Sequence, residues 1–228
     1  MSLEAIHQEC NDLLKKLHRT RESLKILAVS KLQTVEKMRR LYSAGHRLFA
    51  ENYVQEALLK QDTLKDLDIE WHFIGSLQKN KVKQVVGKFV LIHSVDSFEL
   101  ARAISNHAEK IKTTQKILLQ VNLAQEVTKG GYSRETLMAQ WSEVSALPGL
   151  EITGLMTMPP LTDNPEDVRP YFRELRELQL ELQKHGAGRH QLHELSMGTS
   201  HDYHVAIEEG ATIVRLGTIL FGERPRKN

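Results

Sequence analysis

The chain has 228 residues, 40% apolar and 26% charged, with a net charge of +2 at neutral pH. That describes one large or two small soluble domains, and the near balance of charge removes the electrostatic footprint of a nucleic-acid or anionic-membrane binder. Cys10 is the only cysteine, and neither the first twenty residues nor any later run has the apolar length of a signal peptide or membrane span; a cytoplasmic, disulfide-free protein is expected.

Leu3, Ile6, Leu13, Leu14 and Leu17 recur among charges over 2–20 and predict a helix ahead of the first strand. Ile26-Leu27-Ala28-Val29 is an unbroken apolar run, as in a buried parallel strand, and Ser30-Lys31 follow it directly. Thr34 is a good N-cap for the next helix, which should end near Gly45, although Lys37 departs from a capping box. Leu48-Phe49-Ala50 predicts a second strand, closed by Glu51-Asn52 and followed by a helix over 53–64. Further strands are expected at 71–75, 89–94, 116–122, 150–156, 191–196 and 211–216. Helices are expected between them at 78–86, from Asp96 or Ser97 to about 112, and at 133–146, 166–184 and 201–209. The Arg- and Glu-rich helix over 166–184 reads as a solvated face supported by i,i+4 pairs. Eight strands alternating with helices, without a linker or composition break, predict an α/β fold: a single (β/α)8 TIM barrel with an extra N-terminal helix, one domain over 1–228. An open doubly wound sheet would want a glycine-rich turn after its first strand, and Val29-Ser30-Lys31-Leu32-Gln33 has no glycine.

A barrel gathers its strand carboxyl ends on one face, so Lys31, Asn52, Gly75, Asn122, Met156, Ser196 and Arg215 should ring one site. A lysine beside a buried strand is costly to desolvate, which suits an amine that forms a Schiff base with a carbonyl compound. The loops after the seventh and eighth strands read Ser196-Met197-Gly198-Thr199-Ser200 and Leu216-Gly217-Thr218. Both are small, with glycines and hydroxyls that suit a phosphate, and Ser200 stands just before a short helix. Lysine for an aldehyde and two loops for a phosphate point to pyridoxal 5′-phosphate (PLP), with Arg215 placed to face its ring nitrogen. An arginine there cannot accept a proton, which would keep that nitrogen unprotonated and weaken the cofactor as an electron sink.

Ala28-Val29-Ser30-Lys31, Phe49-Ala50-Glu51-Asn52-Tyr53-Val54-Gln55-Glu56, Trp71-His72-Phe73-Ile74-Gly75-Ser76-Leu77-Gln78-Lys79-Asn80-Lys81, Ser196-Met197-Gly198-Thr199-Ser200-His201-Asp202-Tyr203 and Val214-Arg215-Leu216-Gly217-Thr218 with Phe221-Gly222 resemble the pyridoxal phosphate homeostasis proteins of the YggS/PROSC type. The likeness runs from about residue 24 to 225. It implies the barrel of the alanine racemase N-terminal domain, PLP fold type III, with Lys31 as the Schiff-base lysine. By the same likeness Ser200, Gly217 and Thr218 would hold the phosphate, Arg215 would face the pyridine nitrogen, and Asn52, His72 and Met156 would line the pocket. The family usually has a methionine where this chain has Thr199, whose hydroxyl would either add a phosphate contact or change packing.

Two functions stand beside each other. One is a carrier or buffer of intracellular PLP, without catalytic turnover, handing the cofactor to PLP-dependent apoenzymes as a monomer or weak dimer. The other is a small amino-acid racemase, which needs an acid/base group on each face of its substrate. The chain stops at Asn228, without the second domain that supplies the other base in two-domain racemases, and only Tyr203 or His201 stands ready to replace it; the carrier is the expectation. His190, His193, Glu194, His201 and His204 cluster in sequence but lack the spacing of a metal site. Lys129 with Gly130-Gly131 reads as a basic loop at the barrel mouth or a plain turn, and Lys79, Lys81 and Lys83 as a second phosphate site or a solvated face.

Overall fold

Alternation along each strand sorts the apolar residues into two cores, one inside a barrel and one between the barrel and its helices. Leu27, Ala50, Ile74, Leu91, Leu118, Met156 and Ile213 form the inner cluster. Their neighbours in sequence, among them Ala28, Phe49, Phe73, Ile92, Ile117, Leu155 and Val214, pack outward beneath the helices. The computed structural model describes residues 2–126, 129–186 and 188–222; the single domain expected over 1–228 extends beyond them.

The order is α1 (Leu3–Lys16), β1 (Lys25–Val29), α2 (Val35–Ser43), β2 (Leu48–Glu51), α3 (Val54–Thr63), β3 (Glu70–Phe73), α4 (Val82–Val85), β4 (Leu91–Val95) and α5 (Phe98–Lys110). Then follow β5 (Gln115–Val121), α6 (Arg134–Ala146), β6 (Leu150–Thr157), α7 (Arg169–Lys184), β7 (Glu194–Thr199), α8 (Tyr203–Glu208), β8 (Ile213–Leu216) and α9 (Thr218–Phe221). All strands are parallel and close into an eight-stranded barrel. Lys25 pairs with Ile213 and Ala28 with Leu216 across the β1–β8 seam, so the expected (β/α)8 architecture is the one observed. Among the described residues no helix is long and apolar enough to cross a membrane.

Local chemistry starts the helices where expected. Thr34 Oγ1 accepts from Lys37 N, Ser97 Oγ from Leu100 N and Ser133 Oγ from Thr136 N, each satisfying an amide that the helix itself leaves unpaired. Ser97, rather than Asp96, is thus the cap of α5. The helix α1 buries Leu3, Ile6, Cys10 and Leu14 and packs against α8. Just beyond it, Arg19 donates to Ile207 O at 2.8 Å and Ala211 O at 2.6 Å.

Three expectations need correction. The seventh strand forms three residues later than its apolar pattern suggested, over Glu194–Thr199, because Leu192 is buried with a left-handed backbone, φ 44°, and cannot begin an extended run. The region 78–86 is a single 3₁₀ turn, Lys79–Lys81, followed by one α turn. The helix α7 does expose a charged face, but among the described residues no i,i+4 ion pair supports it. It buries Phe172, Leu175, Leu178 and Leu182, and Arg169, Arg173 and Arg176 reach across to the buried carboxylate of Glu209.

Candidate cofactor site

The two-residue period of the strands carries specific side chains to the barrel mouth. In β1 the inward positions Leu27 and Val29 lead to Lys31, and in β2 Leu48 and Ala50 lead to Asn52. Lys31 and Asn52 line a cavity of about 540 Å³ together with Val29, Ile74, Ser200, Arg215, Gly217 and Thr218. Met158 and Leu161, after β6, form an apolar wall, and Thr199 and His201 complete the rim beside β7. Six residues expected at the site are therefore brought together: Lys31, Asn52, Ser200, Arg215, Gly217 and Thr218.

His72 and Met156, also expected to line it, do not. Both are buried inside the barrel, one inward layer below Ile74 and Met158. Ile74 and Met158 are the residues two places further along, and stepping the strand period once more would have found them. Ser196 lies at the lower level too, because β7 runs on to Thr199. Asn122 is absent from the lining. Its Nδ2 donates to Glu126 O and Lys129 O, both at 2.9 Å, and so organises the loop after β5. Lys129 Nζ donates to Pro159 O at 3.1 Å, tying that loop to the next one.

The loops after β7 and β8 meet directly: Gly217 N donates to Ser200 Oγ at 3.1 Å. Thr199 N and Oγ1 both bond Asp202 Oδ1, at 2.5 and 3.0 Å, so the Thr199 hydroxyl is engaged with the residue that precedes α8. That helix begins at Tyr203, two residues after the expected start at His201. The side-chain oxygen Asn52 Oδ1 is buried without a hydrogen-bond partner. Gly75 explains how close these strand ends come, since a Cβ there would lie 1.9 Å from Asn52 O.

Arg215 closes the floor. Its Nη1 donates to Ser196 O and Oγ at 2.7 and 2.8 Å, and its Nη2 to Thr157 O at 2.8 Å. Burial pushes its pKa down to about 10, opposed by Asp202, which leaves it cationic at neutral pH. Below it Ser196 Oγ lies 2.9 Å from His93 Nδ1, and His93 Nε2 lies 2.8 Å from His72 Nδ1. Burial, aided by the Lys25 charge and opposed by Glu194, pushes His72 down to about 4. Burial first, then His72, Arg215 and Lys25, holds His93 well below its ordinary range. Two neutral imidazoles, each donor at one nitrogen and acceptor at the other, thus buttress the guanidinium from beneath. Nothing in the sequence spacing of residues 72, 93, 196 and 215 announces this chain.

The remaining histidines make separate contacts. His190 bonds Ile152 N and Ser145 O, His204 bonds Glu9 Oε1, and among the described residues no group of three potential metal ligands converges.

Fold and cavity define a class: an eight-stranded α/β barrel that presents an amine, a buried guanidinium and two hydroxyl-bearing loops at the carboxyl ends of its strands. The family model for the alanine racemase N-terminal domain matches residues 1–225. The chain is 50% identical over 222 residues to a pyridoxal phosphate homeostasis protein of Aquifex aeolicus, covering 97% of this chain and 95% of that one. It superposes on PipY of Synechococcus elongatus without PLP with a TM-score of 0.85 at 40% identity, covering 93% of this chain and 100% of that one. The PLP-bound structure of PipY gives a TM-score of 0.83 at 39% identity, with the same coverage. The chain belongs to the alanine racemase N-terminal domain family and, within it, to the pyridoxal phosphate homeostasis proteins.

Proposed function

We propose that this chain holds pyridoxal 5′-phosphate in the cavity above Arg215 and serves the intracellular homeostasis of that cofactor as a carrier, without catalytic turnover. The observation that carries the reading is the convergence of Lys31, Arg215 and the Ser200–Gly217 junction on one cavity of about 540 Å³, within the size range of small-molecule sites. The PLP-bound PipY structure supports the identity of that ligand by likeness.

When bound, PLP would supply an aldehyde carbon, and Lys31 is the amine that would hold it. Ser200 and Thr218 offer hydroxyl donors to the phosphate, and Gly217 keeps the β8 loop close enough for its backbone to approach an anion. Arg215 presents only N–H donors toward the cavity, fixed by Ser196 and Thr157, so it can orient a ring-nitrogen lone pair but cannot take a proton from it. The carrier reading also draws on Tyr203. Its hydroxyl donates to Glu9 Oε2 at 3.0 Å, engaged outside the cavity, which among the described residues leaves the exposed His201 at the rim as a second acid/base group. We further infer that the chain works in the cytoplasm and hands its cargo to PLP-dependent apoenzymes.

The test is an absorbance spectrum of the purified protein incubated with PLP, before and after borohydride, followed by peptide mass mapping. The expected result is a visible band lost on reduction and a pyridoxyl adduct on Lys31. A protein that stays colourless and unmodified overturns the reading. Stereoinversion of a common amino acid at enzymatic rates, lost in Lys31→Ala, overturns the carrier in favour of the racemase.

A further inference from the structure

Lys31 is the second residue of a tight turn. Gln33 N donates to Ser30 O at 3.0 Å, and Leu32, the third residue, has φ 59°. That left-handed position is where turns normally place glycine or asparagine, because a Cβ crowds the backbone there. Leu32 is 38% exposed, so burial of its side chain does not compensate. Something else must hold the turn.

The strand period shows what does. Lys31 continues the inward positions of β1, whereas Ser30 continues the outward ones and points at α3. There Lys60, only 6% exposed, aims its ammonium at three acceptors: Ser30 O at 2.6 Å, Glu51 Oε1 at 2.7 Å and Glu56 Oε1 at 2.6 Å. Glu51 Oε1 also accepts from Ser30 Oγ at 2.7 Å. Glu56 Oε1 accepts from Leu32 N at 2.7 Å. The turn is gripped at residue 30 through its carbonyl and hydroxyl and at residue 32 through its amide, on both sides of Lys31. None of these three gripping side chains lines the cavity.

We propose that Glu56 and Lys60 are positioning residues for Lys31, forming an ion-paired clamp on the outer wall of the barrel that holds a left-handed turn closed and thereby fixes the direction of the Lys31 amine. Hydrogen bonds to charged groups are the strong ones, and several of them outweigh one left-handed residue. A buried ion pair adds little stability compared with a well-packed apolar substitute; its value here is geometric. The proposal rests on the reading of Lys31 as the residue that holds PLP.

The experiment titrates the full-length chain with PLP by absorbance. It compares the unsubstituted protein, Glu56→Ala, Leu32→Gly and the double variant Glu56→Ala/Leu32→Gly, and records the melting temperature of each without PLP. Glu56→Ala should weaken PLP binding about tenfold, the effect of losing one charged hydrogen bond. Adding Leu32→Gly should recover most of that loss, because glycine adopts φ > 0 without strain. Leu32→Gly alone should leave binding near that of the unsubstituted protein. A merely structural role for Glu56 would lower the melting temperature and would not be rescued by glycine. Unchanged binding in Glu56→Ala, or no rescue in the double variant, overturns the clamp while leaving the PLP reading intact. An unsubstituted protein that takes up no PLP overturns the PLP reading, and the clamp's role with it.

Discussion

Gly217 N–H donates to Ser200 Oγ across 3.1 Å, and that one bond joins the loops that leave β7 and β8. It sets the spacing of the two hydroxyl-bearing segments on the side of the cavity that the proposed function gives to the phosphate. Preorganisation of this kind reduces the ordering cost of binding.

Ser200→Ala should therefore act twice, by removing a donor to the phosphate and by releasing the β8 loop. A loss of PLP affinity of roughly 10- to 100-fold is expected, the range of one hydrogen bond to a charged partner, with little change in melting temperature. Spectroscopic titration beside a thermal melt reads both quantities, and an affinity within twofold of the unsubstituted protein would remove Ser200 from the site.

Gly75→Ala should be more damaging than a one-carbon change suggests. The added Cβ would lie 1.9 Å from Asn52 O and 2.6 Å from Asn52 C, which is backbone and cannot swing aside. The ends of β2 and β3 must separate, displacing Asn52 from the cavity. Overpacking of this kind costs about 1–3 kcal/mol, measurable by urea denaturation, and PLP affinity should fall with it. A variant of unchanged stability and affinity would show that the strand ends yield freely.

Acid should destabilise the barrel through its buried imidazoles. Burial pushes His46 down to about 4, with its bond to Leu48 O opposing, and His72 likewise to about 4. The unfolded value is near 6.5, so between about 4 and 6.5 the unfolded chain binds protons that the folded one does not. Stability is complete above that window and falls as pH drops through it, by about 1.5 kcal/mol per histidine between pH 6.5 and 5. Urea denaturation at the two pH values should show His46→Gln losing about 1.5 kcal/mol less than the unsubstituted chain. Parallel losses would mean that His46 is charged in the folded protein.

Much of this architecture was legible in the sequence because local patterns and global fold agree. Ile26-Leu27-Ala28-Val29 had one reading as a buried strand, and Thr34 and the glycine at residue 45 marked the helix after it. Lys31, Ser200, Gly217 and Thr218 could be assigned to one face because a barrel's topology puts strand ends together. Height along the barrel axis was the missing coordinate. A period of two separates inside from outside, yet it does not distinguish His72 from Ile74, and one left-handed residue, Leu192, moved β7 by a full inward layer. No pattern in the sequence singles out Lys60, Glu51 and Glu56 among the charges of a helix and a strand end. What makes them a unit is the contact between β2, α3 and the turn after β1, and no periodicity records it.

Arg19 finds its carbonyl partners 188 and 192 residues further along the chain, and α1 has its packing partner in α8. At synthesis rates of roughly 5–20 residues per second, an interval of about 10–40 s separates the appearance of α1 from that of the helix it docks on. Throughout that interval Glu9 lacks Tyr203 and His204, the two α8 side chains it bonds in the folded protein. The β1–β8 seam is accordingly the last part of the barrel to close.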